Sequence, residues 1–233
     1  MKTGTFYAVG VGPGDPELMT RAACRVLESC FVIAAPQTSG GSMLALNIAE
    51  GSVSMEGKTI FPLKFGMARE ISERQAGYDA AADRIEPYLL AGQNVAMVNL
   101  GDVSVYATAY YVLERLRDRG FETKMIPGVP SFCAVAAELG RSLTEPDKPL
   151  HIYPAGATAL KEALSQPGTK VLMKSGHSIG KTAAALESAG LAEVSAMVAD
   201  CGLPTQQVFS GMTDLPEKIS YFATVIVPEG GKT

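Results

Sequence analysis

Strand-like and helix-like stretches alternate along the chain for two thirds of its length. A sequence that keeps switching its apolar period between two and about 3.6 buries its faces as a sheet crossed by helices. Residues 5–11 form an apolar run that stops at a Gly/Pro turn, and residues 18–28 place Leu18, Ala22, Val26 and Leu27 at helical spacing. Residues 31–34 are wholly apolar, as in a parallel strand buried on both faces. A helix over 42–50, a strand over 59–61 stopped by Pro62, a long helix over 68–90 broken near Gly77, and a strand over 94–100 follow. The helix predicted over 104–119 has an apolar stripe at Val105, Ala109, Val112, Leu113 and Leu116, and Gly120 stands just past its end. After a strand at 123–126 and a helix at 131–139 come strands at 150–153 and 170–173, with helices at 158–164 and 181–189. Strands at 194–198, 206–210 and 222–227 then succeed one another without a helix. This predicts two α/β domains, the first with a mostly parallel sheet and the second with a mixed one. The change of pattern places the boundary between 1–123 and 124–233.

Of the 233 residues, 47% are hydrophobic and 19% charged, so a core can form and disorder is excluded. No apolar run reaches the roughly 18 residues of a membrane span, and the start lacks the organisation of a signal peptide. With 20 basic and 24 acidic residues the net charge is -4, and without a basic tract nucleic acid is an unsuitable partner. Cys24, Cys30, Cys133 and Cys201 form no C-x-x-C, and only His151 and His177 could join them. No metal site is therefore expected, and the thiols read as buried in a cytoplasmic protein.

Three loops carry the chemistry. Gly10-Val11-Gly12-Pro13-Gly14-Asp15-Pro16 lies between strand and helix. It resembles a dinucleotide fingerprint but puts Asp15 at the third glycine, and no acidic residue follows at Ala34-Ala35-Pro36. Asp15 as N-cap with Pro16 at the first helical position explains the turn. Leu100-Gly101-Asp102-Val103-Ser104-Val105-Tyr106 and Ile126-Pro127-Gly128-Val129-Pro130-Ser131-Phe132 end two further strands, and Ser104 is positioned to cap the helix after it. None of the three offers a phosphate cradle with a basic anchor. A cationic or zwitterionic nucleoside such as S-adenosylmethionine suits a site of carboxylates and backbone groups.

These motifs resemble those of the tetrapyrrole methylase family. Within it, the stretches 6–18, Tyr106-Ala107-Thr108 and 131–137 are most similar to the C20-methyltransferases acting on precorrin-2 or cobalt-factor II in cobalamin biosynthesis. Val103 departs from the family pattern, which has Pro there. The resemblance implies S-adenosylmethionine in a cleft between two α/β domains, a small-molecule tetrapyrrole substrate and a homodimer. It implies that Pro13, Leu100, Gly101, Asp102, Val105, Tyr106, Pro130, Ser131, Met173, Gly202, Ala223 and Thr224 hold the cofactor. Asp102 and Tyr106 would orient the reactants, with no general base assigned. Substrate contacts are expected at Gly12, Gly14, Asp15, Lys64 and His177, with Lys58, Arg69 and Arg74, or Lys174 and Lys181, as basic neighbours; a solvated face is the alternative reading of either basic cluster. A related methylase acting at another ring position and a nucleotide-binding oxidoreductase module are the alternatives.

Overall fold

A computed structural model describes residues 2–66, 70–154 and 160–229. The chain divides into two units, Met1–Pro130 and Ser131–Thr233.

The first unit is a five-stranded parallel sheet. Its strands are β1 (Thr5–Gly10), β2 (Val32–Gln37), β3 (Thr59–Lys64), β4 (Val95–Asn99) and β5 (Glu122–Ile126), in the order β3-β2-β4-β1-β5. The predicted boundary at 123/124 falls inside β5, and pairing from Thr5↔Glu122 to Val9↔Ile126 keeps that strand in the first unit. One sheet face packs Phe6, Ala8, Val32, Ala34, Phe61, Leu63, Val95 and Met97 against α3 (Ile71–Leu90) and α4 (Thr108–Asp118). Helices α1 (Arg21–Ser29) and α2 (Leu44–Glu50) contact β1, β2 and β4. Inner strands covered on both faces must be apolar throughout, which is why β4 is buried at all five positions.

Several elements depart from the sequence reading for local reasons. Strand β3 runs through Pro62, because it is an edge strand and has only β2 to bond. Helix α3 is continuous through Gly77, around which a Cβ would meet nothing within 4 Å. The expected start of that helix at Ala68 lies outside the described residues. Residues 18–28 are not one helix. Asp15 caps a 3₁₀ turn, Pro16–Leu18, and α1 starts only after Thr20, whose hydroxyl accepts from the Ala23 N–H at 3.1 Å. Helix α4 ends as expected: Gly120 has φ +88°, its N–H donates to the Arg117 carbonyl, and Phe121 N–H reaches that of Leu116.

The second unit has a mixed sheet, β6-β7-β10-β8-β9, from β6 (Leu150–Pro154), β7 (Thr169–Met173), β8 (Ala196–Ala199), β9 (Gln207–Phe209) and β10 (Ala223–Val227). β6 and β7 are parallel, whereas β10 runs antiparallel to β7 and β8. One face packs Leu172, Met197, Ala199, Ala223, Val225 and Val227 with Leu164 of α6 (Leu160–Ser165) and Ile179 and Leu186 of α7 (Ile179–Ser188). Helix α5 (Ser131–Glu138) also contacts β10. Thr158, where the α6 helix was expected to begin, lies outside the described residues.

The thiol reading needs correction. Cys30 and Cys201 are buried, Cys24 is half-buried and Cys133 is exposed. Cys133 follows Phe132 on an eight-residue helix whose buried residues are Phe132, Ala134, Val135 and Ala136. Burial pushes the Cys201 thiol up to about 11.

Candidate ligand site at the strand ends

The strand order marks one end of the first sheet as a candidate site. From β1 the chain crosses over β4 to reach β2, and from β4 it crosses over β1 to reach β5. β1 and β4 are thus the topological switch point, beyond whose carboxyl ends open α/β sheets take ligands. The first two motif loops leave from these strands, and the third leaves from β5 beside them.

The loops are joined backbone to backbone. Gly101 N–H donates to the Gly12 carbonyl at 2.7 Å, and Gly12 N–H returns the bond at 3.3 Å. A Cβ on Gly128 would stand 2.2 Å from the Gly101 oxygen, and one on Gly10 would stand 2.6 Å from that oxygen and 2.7 Å from the Gly128 nitrogen. Only glycine permits this approach at either position. Thr20 adds a side-chain tie, its hydroxyl donating to the Pro127 carbonyl at 3.1 Å. The Asn99 amide donates to the Leu100 carbonyl at 2.8 Å, where β4 turns into its loop.

Asp102 fastens the second loop to the third. One carboxylate oxygen accepts from the Gly128 N–H at 2.9 Å; the other accepts from the Ser104 N–H at 2.8 Å and from its hydroxyl. Burial pushes this carboxyl up, but the combined donors, led by the Ser104 hydroxyl and the Gly128 N–H, outweigh it and hold the group below the usual carboxylate range. This arrangement corrects the expected helix start. Asp102 holds Ser104 in a turn, Tyr106 follows with φ +48°, and α4 begins at Thr108 with Ala107 as an uncapped boundary. Ser104 therefore serves Asp102 rather than the helix. Tyr106 is 43% exposed, and burial of the rest pushes its phenol up. Val105 and Leu100 are half-buried.

In the first loop Gly12, Pro13 and Gly14 are buried, and the Asp15 carboxylate accepts from Glu17 N–H at 2.9 Å. Asp15 is thereby the cap predicted from sequence. Pro130 is half-buried at the end of the first unit, and Ser131 opens α5.

The second unit brings Met173, Gly202, Ala223 and Thr224 to one end of its three inner strands, where β7 and β8 end and β10 begins. Met173 closes β7, and Gly202 follows β8 with φ +79°. Ala223 and Thr224 open β10, but the Ala223 side chain belongs to the core, leaving its carbonyl to accept from Ser175 N–H at 2.9 Å. Asp200, with φ +52°, accepts from the hydroxyls of Thr205, at 2.9 Å, and Ser220. The Gln206 side chain accepts from the Gly202 N–H at 2.7 Å.

The basic residues are dispersed. Lys64 is exposed at the end of edge strand β3, with β2 between it and β4. Lys58 donates to the carbonyls of Glu28, at 3.0 Å, and Cys30, at 2.9 Å, and so closes the end of α1. Arg74 is exposed in the first turn of α3, and Arg69 lies outside the described residues. In the second unit His177 is exposed in a 3₁₀ turn, its ring 5.2 Å from that of Tyr221. Sequence reasoning missed the roles of Gly10, Thr20, Asn99 and Ser104; the polar residues at strand ends were the available signal.

No Lys or Arg occurs in residues 10–15, 100–107 or 126–131. The charged group that the structure fixes between these loops is the Asp102 carboxylate, so a cationic ligand would meet attraction there and no like charge from the loops. Among the described residues, no group of three His, Cys, Asp or Glu could hold a metal ion, and no helix is long and apolar enough to cross a membrane.

A doubly wound parallel sheet with glycine-built loops at its switch point, followed by a mixed-sheet unit, defines the chain as a two-unit α/β protein. The chain belongs to the tetrapyrrole (corrin/porphyrin) methylases, whose family model matches residues 5–215. It is 30% identical over 229 residues to the cobalt-precorrin-2 C(20)-methyltransferase of Salmonella typhimurium, covering 96% of each chain. It is 28% identical to the precorrin-2 C(20)-methyltransferase of a Sinorhizobium species, over 97% of this chain and 95% of that one. The uroporphyrin-III C-methyltransferase of Thermus thermophilus, solved with S-adenosyl homocysteine, shares the fold with a TM-score of 0.69 and 18% identity, over 97% of this chain and 92% of that one.

Proposed function

We propose that the chain transfers a methyl group from S-adenosylmethionine to C20 of cobalt-factor II or precorrin-2 in cobalamin biosynthesis. The observation that carries this reading is the end-to-end similarity to the Salmonella typhimurium enzyme. S-adenosylmethionine, when bound, supplies a methyl on a sulfonium with a neutral leaving group. The macrocycle's electron-rich meso carbon is the nucleophile.

The chain's own residues then have a positioning task. The backbone of Leu100, Gly101 and Val105, with Tyr106 and Pro13, contributes cofactor contacts from the first unit. Pro130 stands at its end, and Ser131, Met173, Gly202, Ala223 and Thr224 contribute from the second. Asp102 fixes the loop that makes these contacts, and its lowered pKa keeps it an anion. Gly12, Gly14, Asp15, Lys64 and His177 are the substrate-side residues of the proposal. Alignment of nucleophile, methyl and sulfur supplies the rate enhancement; the methylated carbon then loses its proton to solvent, so no strong base is required of the protein. A homodimer in the cytoplasm completes the reading.

Calorimetric titration with S-adenosyl homocysteine tests the class. Saturable binding in the micromolar range is expected, as for ordinary enzyme ligands. No heat of binding at about 1 mM, a concentration at the top of the usual range, contradicts it, and saturable NADH binding instead favours an oxidoreductase module.

A further inference from the structure

In the second unit one side chain ties together the loops that flank the start of β10. Strand β10 runs antiparallel to both β7 and β8, so its first residues lie between the ends of those two strands. Asp200 directly follows β8 and holds the segment leading into β10 by main chain and side chain together. Its N–H donates to the Phe222 carbonyl at 3.3 Å. Its carboxylate accepts the Ser220 hydroxyl, whose oxygen in turn accepts the Phe222 N–H at 3.3 Å. Both polar main-chain groups of Phe222 thus lead to Asp200, immediately before Ala223 and Thr224. The other carboxylate oxygen accepts the Thr205 hydroxyl at 2.9 Å and so draws in the far side of its own loop. Within that loop Leu203 N–H donates to the Asp200 carbonyl at 2.9 Å, and the Gln206 side chain accepts the Gly202 N–H at 2.7 Å. The loop after β7 is pressed against the same segment: a Cβ on Gly176 would stand 2.0 Å from the Ser220 carbonyl oxygen.

We propose that Asp200 is a positioning residue for S-adenosylmethionine: it fixes the ends of β8 and β10 from which Gly202, Ala223 and Thr224 contact the cofactor. The inference rests on the methyltransferase reading above. Groups on separate loops align with one ligand only while the loops keep one relative position. A carboxylate suits that task, because it offers one acceptor oxygen to each of two hydroxyl donors from different loops, and charge makes both bonds stronger than neutral ones. Asp102 does the same in the first unit, where it joins the Ser104 turn to Gly128.

The test uses the full chain with Asp200→Gly, Asp200→Asn and, as a control, Thr144→Val. Asp200 has φ +52°, which glycine adopts freely, so Asp200→Gly removes the side-chain bonds without adding strain. Asparagine keeps one acceptor, and the hydroxyl facing its amide can turn to accept. The Thr144 hydroxyl donates to the Lys148 carbonyl at 2.7 Å at the opposite end of the sheet, where Thr144 lines a cavity with Thr169, the first residue of β7. S-adenosyl homocysteine is the probe: it lacks the sulfonium, so direct attraction between Asp200 and that charge does not enter. Calorimetry is expected to give a Kd weakened about tenfold in Asp200→Gly and less than about threefold in Asp200→Asn. Thr144→Val should melt roughly 2–4 °C below wild type, with its Kd changed by less than about twofold. An unchanged Kd in Asp200→Gly, whatever its melting temperature, overturns the proposal. Equal weakening in Thr144→Val also overturns it, as a general loss of stability, and so does an Asp200→Asn chain that binds as weakly as Asp200→Gly. Should Asp200→Gly fail to melt cooperatively, Thr205→Val decides: about threefold weaker binding supports the proposal, and an unchanged Kd overturns it. In all these cases the wild-type chain binds and the methyltransferase reading stands. Failure of the wild-type chain to bind S-adenosyl homocysteine overturns that reading, and this inference with it.

Discussion

A Gly128→Ala chain is expected to melt roughly 6–12 °C below wild type and to lose measurable binding of S-adenosyl homocysteine. The new methyl would stand 2.2 Å from the Gly101 carbonyl oxygen and 2.8–2.9 Å from the backbone of Gly10. All of these are main-chain atoms at strand ends, so relief requires that the three loops move apart. Overpacking of this kind costs about 3 kcal/mol at the upper end of its range, which sets the melting shift. The binding loss follows from the role proposed for those loops in holding the cofactor. Gly77→Ala is the control: a Cβ there meets nothing within 4 Å in the middle of α3. It should raise stability by roughly 0.5–1 kcal/mol through helix propensity and leave binding untouched. Wild-type melting and binding in Gly128→Ala would contradict the close apposition of the loops.

Asp102→Asn is the second large effect. Asparagine keeps the size of the side chain but offers one acceptor where the carboxylate offers two. Its amide would face either the Gly128 N–H or the Ser104 donors, placing donor against donor. A destabilisation of about 2 kcal/mol and a tenfold or greater weakening of S-adenosyl homocysteine binding are expected. The pH dependence has a definite sign. The folded-state pKa of Asp102 is depressed, so its contribution is present above the ordinary carboxylate value and is lost as pH falls through the folded value. The stability gap between wild type and Asp102→Asn should therefore be constant from about pH 8 to 5 and narrow below about pH 4. Denaturant melts across that range read the gap directly. A gap that persists unchanged into acid would show that the carboxylate's charge is not what fastens the loops.

What could be read from the sequence is what repeats with a period. Helical stripes and buried apolar strands located nearly every element, and the switch to consecutive strands after residue 194 anticipated a mixed sheet. Strand order was not legible, because pairing β1 with β4 depends on contacts about 90 residues apart. The errors occurred where a side chain competes with the helix for backbone partners. Thr108–Asp118 is shorter than its apolar stripe because Asp102 captures Ser104 and Tyr106 turns left-handed. Pro62 did not stop β3 because whether a strand lies at a sheet edge is a property of the whole sheet. At the site, the motifs identified the loops and Asp15 as a cap. The backbone knot of Gly10, Gly101 and Gly128 came only with coordinates, since nothing in three separate glycines states that they meet. The role of Lys58, which closes the end of a helix, was hidden for the same reason.

The most direct measurement is regiochemical. The chain is incubated with S-adenosylmethionine carrying a ¹³C methyl and with precorrin-2 or cobalt-factor II, and the labelled carbon is located by NMR. The account predicts a new methyl on C20, the meso carbon between two rings. A methyl on any other ring carbon, or no transfer to either acceptor, would contradict it.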